Sequence, residues 1–166
     1  MKPLKNFNSY LDSLKVKDKI NQGNPYIVEG VDIVPLATSL VDFMSRNGVS
    51  FGRKIPFVIF SSGEEVNQNS VNPIFKRTGH FNFLDKVINI FTDGRSTKDI
   101  LRTLAHELIH ADQVINKNMD VAPALNGLGK KNNSEAEKIE GDAYLRGNIL
   151  FRRWEDTLRG KYETKK

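Results

Sequence analysis

The hydrophobic positions of this chain change their spacing twice, from helical to strand-like and back to helical. Leu4, Phe7, Leu11, Leu14 and Ile20 recur at helical spacing and predict a first amphipathic helix. Asn21-Gln22-Gly23-Asn24-Pro25 breaks it. Pro35 suits the first turn of a second helix, which carries Leu36, Leu40, Val41 and Met44 and ends at Asn47-Gly48.

The middle of the chain reads differently. Ile55-Pro56-Phe57-Val58-Ile59-Phe60 predicts a buried strand, and residues 61–73 are rich in Asn and Ser, as loops are. Gly79-His80-Phe81-Asn82-Phe83 alternates, Leu84-Asp85-Lys86 can turn, and Val87-Ile88-Asn89-Ile90-Phe91 is a strong strand, so a hairpin is expected. Phe57, Phe60, Phe81, Phe83 and Phe91 are expected in the core.

Helical spacing then returns. Ser96 offers an N-cap with Asp99 three residues on, and the helix that follows buries Ile100, Leu101, Leu104, Ala105, Leu108, Ile109, Ala111, Val114 and Ile115. Residues 116–133 are polar and contain glycine, the composition of a loop. A last helix runs from about Ser134 to Leu158, with Ala136, Ile139, Ala143, Leu145, Ile149, Leu150 and Trp154 available for the core. The blocks are N-terminal helices over about 1–47, a sheet over about 54–91 and two helices over about 96–158. Nothing linker-like or repeated divides them, so one domain over 1–166 is expected.

Composition narrows the chemistry. The chain has no cysteine, so disulfides and thiolate metal sites are excluded, and any metal must be held by His, Asp or Glu. No signal-peptide core and no membrane-spanning run is present, which predicts a cytoplasmic protein without membrane partners. The net charge of +5 raises nucleic acid as a partner, but the basic residues are dispersed and not interleaved with aromatics. A soluble lysine-rich surface is the simpler reading. Trp154, beside Arg152 and Arg153, is read as a packed helix end.

The chemistry-bearing pattern is His106-Glu107-Leu108-Ile109-His110, inside the best-signalled helix. Four residues are about one helical turn, so both imidazoles project from one face and can share a Zn²⁺ ion. Glu107 stands beside the first ligand, where a carboxylate can take a proton from a zinc-activated water and pass it to a leaving amine. At residue usage of a few per cent each, such a pattern arises by chance in fewer than about one chain in a hundred of this length. Two of the three histidines fall into it. It is therefore read as a site and not as two solvent-facing histidines.

A catalytic zinc site needs a third protein ligand. Glu135, Glu137, Glu140 and Asp142 on the last helix are candidates, with His80 upstream. Thr103 and Gln113 flank the ligands by about one turn and are candidates to fix an imidazole tautomer; Asp112 points elsewhere by spacing. His80 is also a candidate oxyanion stabiliser, on a hairpin whose edge could pair with an extended substrate.

HExxH followed by a glutamate on a second helix resembles the gluzincin peptidases, from thermolysin-like to minimal single-domain forms. Glu140-Gly141-Asp142-Ala143-Tyr144 matches the pattern that begins at their third ligand, which implies Glu140 in that role, with Glu137 as its rival one turn earlier. Tyr144 stands where an acid often orients a ligand histidine, and is a candidate to bond substrate or a ligand instead. Residues 98–110 with 140–148 are also similar to small peptidases attributed to tailed bacteriophages, which implies a host cytoplasm or virion setting. The resulting expectation is an α+β, zincin-like fold. It consists of a small, mostly antiparallel sheet on an HExxH helix, completed by a Glu-bearing helix.

The expected activity is that of a zinc metalloprotease, a hydrolase of peptide or protein substrates. Two alternatives stand beside it. A DNA-associated SprT-like protease uses a histidine downstream of HExxH, and none follows His110 here. A non-catalytic virion or regulatory binding module, stabilised by zinc, would not need Glu107.

Overall fold

The computed structural model describes residues 25–52, 55–61, 78–119 and 134–163. The expected first helix over residues 4–20 and most of the expected loops lie outside them. The described residues form an α+β structure. A short antiparallel ribbon, β1 (Ile27–Val28) and β2 (Val31–Asp32), leads into α1 (Val34–Arg46). Then come β3 (Phe57–Ser61), β4 (Gly79–Asn82), β5 (Val87–Phe91), α2 (Thr97–Ile115) and α3 (Ser134–Glu163).

Local chemistry sets the helix ends much as the sequence predicts. Pro35 lies in the first turn of α1, Asn47 caps its end, and Gly48 follows at a φ of 93°, a backbone conformation that suits glycine. The Ser96 side chain accepts a hydrogen bond from the Asp99 backbone N–H and starts α2. β4 and β5 form the expected hairpin, with Asn82 accepting from the Leu84 and Asp85 backbone at the turn.

The three-stranded sheet has the order β3-β5-β4 and is mixed, not mostly antiparallel: β5 pairs antiparallel with β4 but parallel with β3. The parallel pair is possible because residues 62–86 separate the two strands, ample chain for a crossover connection. Among the described residues β3 lies at the edge of this sheet. Only its Phe60 is buried, and Phe57 is 78% exposed. Phe83 is likewise exposed at the hairpin turn, whereas Phe60, Phe81 and Phe91 are buried as expected.

One face of the sheet, carrying Phe60, Phe81, Ile88 and Ile90, packs on α2. Helix α2 lies between that face, α1 and α3, and its Leu101, Leu104, Ala105, Leu108 and Ile109 are inaccessible to solvent. On α3 the buried hydrophobic positions are Ala136, Ile139, Ala143, Leu150, Phe151, Trp154 and Leu158. Leu145 and Ile149, expected in the core, fall on the opposite, exposed side of the helix. Trp154 is buried, and its indole N–H donates to Ser39 of α1 at 3.1 Å, tying the end of the last helix to the first described one. Truncating such a residue to alanine costs about 3–5 kcal/mol.

Candidate metal centre

Beside its apolar core positions, α2 carries a rim of polar side chains toward α3, among them Asp112 and Gln113, which bond Arg146 and Asp142 there. His106 and His110 lie on that rim, one turn apart, with their Nε2 atoms 3.0 Å from each other. Glu140 approaches from α3: its two carboxylate oxygens lie 3.3 Å from His106 Nε2 and 3.4 Å from His110 Nε2. These three residues form a group that could hold a metal ion, with all ligand atoms within 4.8 Å of one another. Glu137, the rival ligand, is exposed one turn away and is not in the group.

Helix α3 comes this close because of a glycine. A Cβ on Gly147 would stand 3.2 Å from the His106 Cα and 3.3 Å from the Ala105 carbonyl oxygen. The two helices therefore touch backbone to backbone at the first histidine, and Glu140 reaches both imidazoles from two turns earlier on α3.

The two histidines are supported unequally. His110 Nδ1 lies 2.8 Å from Gln113 Oε1, an acceptor, so its ring donates there, and its Nε2 faces the site. His106 Nδ1 is buried and has no hydrogen-bond partner among the described residues. Gln113 thus fills the positioning role for which its spacing made it a candidate. Thr103 does not: its hydroxyl donates to the Asp99 carbonyl and accepts from Arg95 at 2.6 Å, away from both imidazoles. Asp112 is fully buried and binds the Ser50 backbone, Asn116 and Arg146, so it fastens α2 to its neighbours.

The electrostatics follow from this crowding. The two histidines hold the Glu140 carboxyl down at about 2, against the opposing effect of burial. His110 is pulled down by burial, but the carboxylates of Glu140 and Glu107 outweigh that and raise it. Glu107 is buried beside the cluster, and burial raises its pKa despite the nearby histidines and a hydrogen bond from the Phe81 backbone N–H on β4.

No protein-family model matches the chain, no curated protein matches it, and no solved structure does.

The other two candidates fare differently. Tyr144 lies one turn beyond Glu140, with its ring centre 4.6 Å from that of His106 and the residue 63% exposed, so it stands at the open side of the cluster. His80 does not join the site. Residues alternate across a strand, and Gly79 and Phe81 face α2; His80 projects from the other face, toward Asn89 and Phe91. His80 is thus not brought together with His106, His110 and Glu140. One contact was not anticipated, that between Glu107 and the backbone of Phe81, because main-chain donors leave no mark in a sequence.

Proposed function

We propose that this chain is a zinc-dependent peptidase with a zincin-like fold, similar in its ligand set to the gluzincins, and that it acts on peptide or protein substrates. One observation carries the reading. Three ligand atoms from His106, His110 and Glu140 converge, and a buried carboxylate, Glu107, adjoins them without belonging to the set. Bonds of about 2.0–2.1 Å at tetrahedral angles place ligand atoms about 3.3 Å apart. The two Nε2 atoms here are 3.0 Å apart, and the two Glu140 oxygens lie 3.3 Å from one and 3.4 Å from the other, a spacing on the scale such an ion needs.

Zinc bound there supplies a Lewis acid that polarises a substrate carbonyl and lowers the pKa of a bound water to about 7. The remaining work falls to this chain's own groups. Glu107, more basic than a solvated carboxylate because it is buried, accepts the proton of the attacking water and delivers it to the leaving amine. Gln113 keeps the His110 proton on Nδ1. Tyr144 offers a phenol to the substrate at the open side. β4 is an edge strand whose Phe81 contacts Glu107, so its main chain lies where an extended peptide can pair with it.

The test is hydrolysis of an unstructured protein substrate by the zinc-loaded chain. Activity in the wild type and none in Glu107→Gln is expected. Activity retained by Glu107→Gln would remove the mechanism. An inactive wild type that still binds zinc would replace the enzyme with a zinc-stabilised binding module.

A further inference from the structure

We infer that Asp142 is a positioning residue for the metal site, acting through Gln113 to place the His110 proton on Nδ1 and leave Nε2 free for the ion. The inference rests on the metal-site reading above and adds a residue that touches no ligand.

Gln113 is fully buried and its amide has two unlike ends. The Nε2 end lies 3.0 Å from the Ile139 carbonyl oxygen and 2.9 Å from Asp142 Oδ2. Both partners only accept, so the amide nitrogen must face them, which points the amide oxygen at His110 Nδ1, 2.8 Å away. An acceptor at that point requires the ring to carry its neutral-state proton on Nδ1. Reversing the amide would set an oxygen against a carboxylate and a carbonyl, and would press an N–H against the imidazole N–H.

Asp142 is itself held in place. Arg146 bridges it and the buried Asp112, at 3.2 and 2.7 Å, and Lys117 stands 3.6 Å from it. These cations fix the Asp142 side chain opposite the Gln113 amide nitrogen. All of these contacts fall on one oxygen, Oδ2, which asparagine could keep in place; leucine at 142 removes the acceptor, and the Gln113 amide loses one of its two fixed partners.

Zinc affinity measured by chelator competition on the full chain tests this, with Asp142→Leu, Gln113→Met and the double variant. Gln113→Met keeps the buried volume and removes the acceptor. Each single variant is expected to weaken zinc binding about 10–100-fold, the range for losing such an outer partner. The double variant is expected to bind no more weakly than Gln113→Met alone, because Asp142 acts through Gln113. ¹⁵N NMR of the neutral, metal-free protein should show His110 protonated on Nδ1 in the wild type and a mixture of tautomers in Asp142→Leu. Equal zinc affinity and an unchanged tautomer in Asp142→Leu would overturn the inference, as would losses that multiply in the double variant. A wild type that takes up no zinc would overturn the metal-site reading and this inference with it.

Discussion

Gly147 of α3 packs on the backbone of His106, so close that a Cβ would stand 3.2 Å from the His106 Cα. Alanine is ordinarily worth about 1 kcal/mol more than glycine inside a helix. Here the atoms it would meet are main-chain atoms of α2, which cannot swing aside. Gly147→Ala is therefore expected to lose its propensity gain and weaken zinc binding, since any separation of the helices draws Glu140 from both histidines. Gly141, six residues earlier on the same helix, has open space around it. Gly141→Ala should raise stability by about 0.5–1 kcal/mol and leave zinc affinity alone. Thermal melts and chelator competition on the two variants make the comparison.

Glu107→Gln should separate stability from activity. The folded-state pKa of Glu107 is raised, chiefly by burial, so what it contributes to stability is present below its ordinary value of 4.5 and lost as pH rises through the raised one. At neutral pH the ionised side chain opposes folding. The neutral amide of the variant should thus bring a higher melting temperature in the metal-free protein, by roughly 2–4 °C if the relief is about 1 kcal/mol. Calorimetry at pH 7 checks this; a lower melting temperature would show that the charge is stabilised by its neighbours.

The pairing of Glu140 with the histidines predicts a stability window for the metal-free protein. The Glu140 pKa is depressed from 4.5 to about 2, so its contribution is present above 4.5 and is lost as pH falls toward 2. The His110 pKa is raised above 6.5, so its contribution is present below 6.5 and is lost as pH rises through the raised value. Glu140→Gln should consequently destabilise the metal-free protein most between about pH 4.5 and 6.5. Zinc affinity should run the other way and increase with pH, because a bound imidazole must be neutral. Denaturant unfolding of both proteins from acid to mildly alkaline pH reads the first effect, and a zinc titration the second.

Helices, caps and the hairpin were legible because each has a local cause: Ser96 before Asp99, Pro35 in a first turn, and two alternating runs around Leu84-Asp85-Lys86. The spacing of His106 and His110 was legible for the same reason, while Glu140 was expected only from the resemblance of residues 140–144 to a known third-ligand pattern. What escaped was set by contacts distant in sequence. The parallel pairing of β3 with β5 turned a run of apolar residues into an edge strand, and it leaves Phe57 in solvent. His80 could be placed on a hairpin but not on one of its faces, since a strand's inward face is fixed only by what packs on it. Thr103 and Gln113 had equivalent spacing from the histidines, and only the structure separates the one held by Arg95 from the one bonded to His110.

The zinc content of the purified protein tests the central claim most directly. After equilibration with zinc and removal of the excess, the account predicts about one zinc per chain in the wild type and in Glu107→Gln. It predicts little or none in His106→Ala, His110→Ala and Glu140→Gln. A wild type free of zinc, or a Glu140→Gln variant that retains it in full, would contradict the assignment of His106, His110 and Glu140 as the ligands.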